Sequence, residues 1–317
     1  MKFLIIGLCA LAALAALALL ISYICFRMAF YVPKKRPVPE EYPIPDGKEY
    51  IPYRDQMIQW IKETRAMPHE DMEITSFDGL KLRGRYFEYA PGAPIELMLH
   101  GYRGESERDM SGGVHRCFSL GRSALVVDQR ACGRSEGTVI TFGAKEHKDC
   151  LYWVDHMVKR FGPDVQIILT GISMGAATVV MASGCELPKN VIGVLADCGC
   201  SSAKDIIKLV IRTRIGLPPD LAYPFVRLGA KVFGNFDPNT ASPVDWVKNA
   251  KVPVIFYHGD ADDFVPSYMS QEMFDACPSR KQIVFIPGAA HGLAFPKDPE
   301  TYLQTLSEFF GPEASSK

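Results

Sequence analysis

The sequence predicts an α/β fold, in which a mostly parallel central sheet is covered by helices on both faces. Short apolar segments of strand length alternate with amphipathic segments of helical length through most of the chain. The dipeptide Asp78-Gly79 lies between two β-like segments and indicates a hairpin before this alternation begins. With 317 residues, 48% of them hydrophobic and 22% charged, the chain can build the core of one large domain with an appendage.

The individual elements follow from periodicity and turn signals. The predicted strands are residues 72–77, 80–87, 95–99, 124–127, 165–169, 191–196, 254–257 and 282–286. The predicted helices are residues 53–65, 107–120, 144–160, 176–183, 267–276 and 299–310. Residues 200–251 interrupt the alternation, and we expect them to form a small helical cap over the carboxyl ends of the strands, where such sheets bind ligands.

Several large apolar side chains of the cap allow two interpretations. They either line an apolar acyl or aromatic pocket, or pack the cap onto the sheet. They are Leu217, Leu221, Tyr223, Phe225 and Phe233.

Residues 1–27 are predicted to be a transmembrane anchor. The 24 residues 3–26 carry no charge and lie between Lys2 and Arg27. As a helix they extend about 36 Å, enough to cross a hydrocarbon core of roughly 30 Å. A cleaved signal peptide is the alternative, but its apolar region is normally about 7–15 residues and precedes a site with small residues. We therefore favour an uncleaved anchor.

A proline-rich linker is predicted over residues 28–52, because six prolines lie between residues 32 and 52. The domain after it, residues 53–317, contains the cap. The basic cluster Lys34-Lys35-Arg36 follows the span, and this bias favours a catalytic domain in the cytoplasm, although long domains can override it. Nine scattered cysteines, an odd number, indicate free thiols and a reducing compartment.

The composition excludes several classes of function. A net charge of -1 and a pI near 6.7 give no reason to expect a nucleic-acid partner. Cys198 and Cys200 are the only close pair of cysteines in the sequence, with no clustered histidine, which argues against a zinc site. No metal or organic cofactor is expected.

The segment Gly171-Ile172-Ser173-Met174-Gly175 has the G-x-S-x-G pattern between a predicted strand and a predicted helix. In that context the sharp turn lifts the serine side chain away from the sheet, and the glycines avoid collisions at the crossing. Ser173 is therefore a candidate nucleophile at a helix N-terminus, where developing negative charge is favoured. An incidental serine in a glycine-rich turn is the alternative.

A serine hydroxyl needs a base that is itself oriented by a carboxylate. The loop after strand 254–257 carries Asp260, Asp262 and Asp263, and the loop after strand 282–286 carries His291. Both loops leave the same edge of the sheet as Ser173, so these side chains can converge.

Five motifs in order resemble the α/β-hydrolase superfamily, and in particular bacterial membrane-anchored hydrolases related to the serine aminopeptidase and prolyl-oligopeptidase-like groups. The motifs are HGYRG (100–104), DQRACGRSEG (128–137), GISMG (171–175), HGDADDFVP (258–266) and GAAHG (288–292). The resemblance implies an α/β-hydrolase fold, with Ser173 as nucleophile, His291 as base and Asp262 as the acid of the triad. Cys132 departs from the family, where histidine is frequent.

The same resemblance implies an oxyanion hole formed by the backbone N–H groups of Tyr102 and Met174. It also implies that Asp128 and Arg130 are structural residues.

The predicted function is a serine hydrolase that acts on an ester, thioester or amide carbonyl through an acyl-enzyme, with a carboxylesterase preferred. A serine peptidase of this fold and a non-catalytic binding module are the alternatives. The expected partners are a small-molecule or peptide acyl substrate and, through the N-terminal helix, a membrane. A further alternative is an adaptor that binds anionic lipid through Lys34-Lys35-Arg36.

Overall fold

A mostly parallel sheet of eight strands lies between two layers of helices in the computed structural model, which describes residues 1–33 and 41–311. The strand order is β1-β2-β4-β3-β5-β6-β7-β8. Strands β1, β2 and β4 pair antiparallel, and all other pairs are parallel. The strands are β1 (Glu70–Thr75), β2 (Lys81–Phe87), β3 (Ile95–Leu99), β4 (Ser123–Val127), β5 (Ile167–Ile172), β6 (Val191–Asp197), β7 (Val254–Gly259) and β8 (Lys281–Ile286). The predicted fold class is confirmed.

Helices make up most of the remaining regular structure, and several of them cover the two faces of the sheet. They are α1 (Lys2–Ala29), α2 (Arg54–Ala66), α3 (Ser106–Ser119), α4 (Glu146–Phe161), α5 (Met174–Ser183), α6 (Ala203–Val210), α7 (Pro219–Gly234), α8 (Pro243–Trp246), α9 (Tyr268–Ala276), α10 (Ala294–Lys297) and α11 (Pro299–Phe310). Every residue of β3, β4 and α5 is buried, as expected for elements covered on both sides.

Strand β5 begins and ends later than the sequence predicts. Residues 165–169 are the predicted strand, but Val165 belongs to a turn, since its N–H donates to the carbonyl of Gly162. Parallel pairing with β3 aligns Ile95 with Ile167, so the strand continues to Ile172. Ser173 therefore follows the last strand residue directly.

The cap consists of α6, a π-helical turn at Ile211–Ile215, and α7. Its inner face forms a hydrophobic cluster with the end of α1. The buried members of this cluster are Phe26, Phe30, Ile207, Ile211, Tyr223, Val226, Ala230 and Phe236. The cap and the last turns of α1 thus share one core.

Helix α1 has 28 residues and is long and apolar enough to cross a membrane, the one such helix among the described residues. The linker predicted as extended over residues 28–52 is helical at both ends. At the first end, α1 continues to Ala29, and the next residue, Phe30, is fully buried. At the second end, residues Lys48–Tyr53 form a 3₁₀ helix. The cluster Lys34-Lys35-Arg36, with Pro37 and Pro39, lies outside the described residues.

Candidate active site

The turn between β5 and α5 holds Ser173 in a strained backbone conformation. Its φ of 56° and ψ of −117° are unusual for a residue with a side chain. A Cβ on Gly171 would lie 2.2 Å from the backbone of Gly175, and one on Gly175 would lie 2.0 Å from the carbonyl oxygen of Leu99. Only glycine fits at these two positions, which explains why the turn has the G-x-S-x-G pattern.

The structure brings Ser173, His291 and Asp262 together at the carboxyl edge of the sheet. The Oγ of Ser173 lies 2.9 Å from Nε2 of His291, and Nδ1 of His291 lies 2.7 Å from Oδ2 of Asp262. An ionised carboxylate can only accept, so Nδ1 carries the proton and Nε2 is free to accept from the Ser173 hydroxyl. This is the geometry required of a nucleophile, a base and an orienting acid.

The other two aspartates of the same loop have different surroundings. Oδ1 of Asp260 accepts the backbone N–H of Gly288 at 2.6 Å, which ties the two loops together. Asp263 is largely exposed, with its carboxylate 3.7 Å from the guanidinium of Arg214. Of these three aspartates, Asp262 alone contacts the imidazole of His291. Its role as the acid of the triad, which the resemblance implied, stays a prediction.

Asp262 is held as a carboxylate by several donors. Burial opposes its ionisation, but hydrogen bonds from His258 and His291 and from the backbone keep its pKa well below the usual range. Its Oδ1 accepts the backbone N–H groups of Phe264 and Val265 at 2.9 and 2.8 Å. The carboxylate can therefore stabilise a positive charge on His291.

Three residues that contribute to this site were missed in the sequence. The imidazole of His258, the first residue of the HGDADDFVP motif, lies 3.2 Å from Asp262 and also contacts the carbonyl of Val265 at 2.8 Å. The hydroxyl of Tyr50, in the segment predicted as linker, donates to the carbonyl of His291 at 2.9 Å. The position of His258 at a strand end is a signal that the sequence contains. No local pattern indicates the role of Tyr50.

Asp197, the last residue of β6, is the third. Burial raises its pKa to about 6, although the Tyr302 hydroxyl donates to Oδ2 at 3.0 Å. Its Oδ1 has no hydrogen-bond partner within residues 1–33 and 41–311. The backbone N–H of Ser173 donates to the backbone carbonyl of Asp197 at 2.8 Å, so the residue that carries this buried carboxyl is bound directly to the turn.

The loop of Tyr102 lies against Ser173. A Cβ on Gly101 would be 3.5 Å from the Cβ of Ser173, and the Gly101 N–H donates to the carboxylate of Asp109 at 3.1 Å. Met174 is the first residue of α5, where backbone N–H groups have no partner within the helix. Both segments are thus placed beside the nucleophile candidate, and their role as an oxyanion hole stays a prediction.

The side chain of Tyr102 has a second contact. Its hydroxyl donates to the carbonyl of Ala29 at 2.7 Å, and the neighbouring Arg103 donates to the carbonyls of Met28 and Tyr31 at 2.8 and 3.3 Å. The loop beside Ser173 is thereby fixed to the end of α1.

Two cavities meet at Ser173. The polar cavity, with a volume of about 570 Å³, lies between the 3₁₀ helix and the His291 loop, and includes Tyr50, Arg108 and Arg214. The apolar cavity, of about 230 Å³, lies between the cap and α1 and has almost no polar surface. Its cap residues are Ile206, Ile207, Val210, Ile211, Ile215 and Val226.

The apolar pocket suggested by the sequence therefore exists, but none of the residues named for it lines it. Leu217, Leu221 and Phe233 are exposed, and Tyr223 packs in the cluster with α1. Contact with α1 decides which face of α7 points inwards. The periodicity of the cap sequence alone does not specify that contact.

A metal would find few ligands at this site. Cys198, Asp262 and His291 have donor atoms within 4.8 Å of one another. Burial raises the pKa of the Cys198 thiol well above its usual value, so it is not a thiolate. The other two side chains already bind each other, and this set of donors does not suit a metal ion.

The DQRACGRSEG loop has the structural role that the resemblance implied. Asp128 accepts the backbone N–H groups of Ser106 and Arg134 at 2.9 Å each. The guanidinium of Arg130 binds Asp149 and Asp78 in two bidentate pairs. Neither side chain faces the cavities at Ser173.

Comparison with known proteins identifies the family of the chain. A model of the Alpha/beta hydrolase family matches residues 97–305, about two thirds of the chain. The chain belongs to the alpha/beta hydrolase family. The match includes all five motifs entirely, from HGYRG to GAAHG.

Among curated alpha/beta hydrolase relatives, the chain is 24% identical over 196 residues to the uncharacterized protein YqkD of Bacillus subtilis. That match covers 62% of this chain and 64% of YqkD, less than two thirds of the relative.

Solved structures share the fold. The esterase Pf2001 of Pyrococcus furiosus superimposes with a TM-score of 0.64 at 23% identity, over 87% of this chain and 97% of that one. Est1E of Butyrivibrio proteoclasticus, with ferulic acid bound, gives a TM-score of 0.59 at 22% identity, over 77% of this chain and all of Est1E.

Proposed function

We propose that this alpha/beta hydrolase is a membrane-anchored serine esterase that uses Ser173, His291 and Asp262. The observation that carries the proposal is the continuous hydrogen-bonded line from the Ser173 hydroxyl through His291 to Asp262, at 2.9 and 2.7 Å. Family membership supports hydrolysis, and the apolar cavity beside Ser173 supports an acyl ester or thioester over a peptide.

In the first half of the reaction, the Oγ of Ser173 attacks the acyl carbon and its proton passes to Nε2 of His291. The bond from the acyl carbon to the alcohol oxygen then breaks, and His291 returns the proton to the departing alcohol. Asp262 stabilises the transient imidazolium and keeps the proton on Nδ1. The backbone N–H groups of Tyr102 and Met174 would bind the carbonyl oxygen as it becomes negative.

In the second half, water attacks the acyl-enzyme and gives a proton to His291. The bond from the acyl carbon to Oγ breaks, Ser173 recovers its proton from His291, and the carboxylic acid leaves. The sum is ester plus water to acid plus alcohol, without a cofactor.

Helix α1 is proposed to be an uncleaved anchor. Its last turns are part of the fold, since Phe26 and Phe30 are buried against the cap and Ala29 accepts the Tyr102 hydroxyl. Cleavage within the helix would remove these contacts. The charges that follow the span and the nine free cysteines favour a domain in the cytoplasm.

A fluorophosphonate probe tests the proposal. We expect the full-length protein to be labelled, and Ser173→Ala to lose all labelling and the hydrolysis of p-nitrophenyl acetate. Ser119→Ala on α3 is the matched control, because its hydroxyl binds a carbonyl of its own helix, and it should react normally. A wild type that is folded but not labelled would contradict the proposal and favour the non-catalytic binding module. A preference for aminoacyl-anilides over p-nitrophenyl esters would replace the esterase with a peptidase.

A further inference from the structure

We propose that the substrate is a long-chain acyl ester of an uncharged alcohol held in the bilayer, and that its acyl chain enters the apolar cavity beside α1. This inference rests on the proposed esterase activity and names its substrate class. It follows from the position of the cavity relative to the membrane helix and from the charges of the second cavity.

The exposure pattern of α1 fixes where the bilayer ends. Residues 2–21 are exposed apart from partly covered Ala18, whereas Ser22 and Phe26 are buried in the protein. Twenty residues of helix extend about 30 Å, which equals the thickness of a typical hydrocarbon core. The hydrocarbon boundary therefore lies near Ser22, and Tyr23 and Arg27 lie at the depth of the head groups.

The end of α1 is joined to the cap by a close backbone contact. A Cβ on Gly229 of α7 would lie 2.2 Å from the carbonyl oxygen of Ser22, so only glycine allows this approach. Phe233 packs against the rings of Tyr23 and Phe26, at 5.1 and 5.9 Å between centroids. The cap is thus held at the membrane surface.

The apolar cavity begins at this level. Cys25, Met28 and Ala29 of α1 form one wall, and Ser173 lies at the inner end. Met28 and Ile215, which are 60% and 49% exposed, lie where the cavity reaches the surface. Met28 is six residues beyond Ser22, about 9 Å along the helix, so the entrance is at the depth of lipid head groups.

The surface of the cap near this entrance carries several large apolar side chains, with the charged residues Arg212, Arg214 and Lys231 among them. Its exposed large hydrophobic residues are Ile215, Leu217, Leu221, Leu228, Val232 and Phe233. An exposed apolar patch beside a membrane helix is expected to lie in the interface between the bilayer and water, because water is a poor solvent for apolar side chains. An acyl chain can then pass from the bilayer to Ser173 without crossing water.

The polar cavity on the other side of Ser173 suits the alcohol part of the ester. Four carboxylates line it, from Asp46, Glu49, Asp109 and Asp263, against the two guanidinium groups of Arg108 and Arg214. Arg108 is already paired with Asp109 at 2.6 Å, and Arg214 lies 3.7 Å from Asp263. The remaining negative charge disfavours a phosphate, and an uncharged polyol is accommodated. The reaction yields a fatty acid and the polyol through the steps given above.

A hydrolysis assay in phosphatidylcholine vesicles tests this inference. The vesicles contain the full-length protein and a long-chain monoacylglycerol in the same bilayer. We expect hydrolysis that falls as the substrate is diluted within the bilayer at constant bulk concentration. Lysophosphatidate of the same chain length should be hydrolysed at least 10-fold more slowly. Ile215→Trp should narrow the entrance, so monoacylglycerol hydrolysis should fall at least 10-fold and by a clearly larger factor than p-nitrophenyl acetate hydrolysis. Leu221→Trp, on the same exposed surface but not in the cavity, is the control and should leave both activities within 2-fold.

The outcomes separate this inference from the esterase itself. Hydrolysis of p-nitrophenyl acetate that depends on Ser173, without hydrolysis of the monoacylglycerol, would overturn the lipid substrate and keep the esterase. Equal loss of both activities in Ile215→Trp, or a rate that follows only bulk concentration, would overturn entry from the bilayer. Preference for lysophosphatidate would overturn the uncharged alcohol. If no ester is hydrolysed, the proposed function itself is wrong.

Discussion

Asp262→Asn should remove most of the catalytic activity while leaving the fold intact, for a reason visible in the hydrogen bonds of this side chain. Oδ1 of Asp262 accepts two backbone N–H groups, and Oδ2 accepts from His258 and His291. An asparagine satisfies the backbone donors with its oxygen, which leaves its NH₂ group facing His291. The imidazole must then accept at Nδ1 and carry its proton on Nε2, where it can no longer take the proton of Ser173.

The expected loss is about 10⁴-fold in kcat, or about 5.5 kcal/mol of barrier, the scale measured when a triad acid fixes the wrong tautomer. The assay is hydrolysis of p-nitrophenyl acetate, with the thermal unfolding midpoint measured on the same samples. Asp260→Asn and Asp263→Asn are matched controls from the same loop, and each should keep kcat within about 3-fold. If Asp262→Asn retains a tenth of the activity, or if a control loses more than it does, Asp262 is not the acid.

Two further predictions concern the surroundings of Ser173. Gly175→Ala places a Cβ 2.0 Å from the carbonyl oxygen of Leu99 and should destabilise the domain by about 3 kcal/mol or more in urea unfolding, whereas Gly7→Ala, with open space around it, should change nothing. Asp197 has its pKa raised from 3.8 to about 6 by burial, so its ionised form costs about 3 kcal/mol of stability above pH 6, and most of this cost is gone at pH 4.5. The free energy of unfolding of Asp197→Asn minus that of the wild type should therefore rise by about 2 kcal/mol from pH 4.5 to pH 7.5. An unchanged difference across this range would contradict the raised pKa of Asp197.

The part of the site that the sequence predicts is the part encoded by short loops at strand ends. Ser173, Asp262 and His291 each lie in a loop that follows a strand, and parallel strands bring their carboxyl ends to one edge, so order along the chain was sufficient to bring the three loops together. The choice of Asp262 among the three aspartates of its loop came from the resemblance. The precise start of β5 was not predictable, because pairing with β3, rather than the apolar run, decides where the strand begins.

Contacts between distant segments were beyond the sequence pattern. Tyr50 reaches His291 across 241 positions of the chain, and a single tyrosine after prolines carries no signal of that contact. The cap shows the same limit. Its periodicity indicates amphipathic helices, but an apolar face can turn towards the sheet, towards α1 or towards lipid, and Phe233 and Leu221 do not face the cavity.

Helix α1 and the sheet edge that carries Ser173 are parts of one structure. The Tyr102 hydroxyl and the Arg103 guanidinium bind carbonyls at the end of α1, which have no partner within the helix. The same helix end forms a wall of the cavity that reaches Ser173. A membrane span that served only for attachment would need none of these contacts, since a flexible linker would hold the domain at the surface equally well. The position of the loop beside Ser173 therefore depends on the helix being docked, and this ties the proposed chemistry to the proposed membrane anchor.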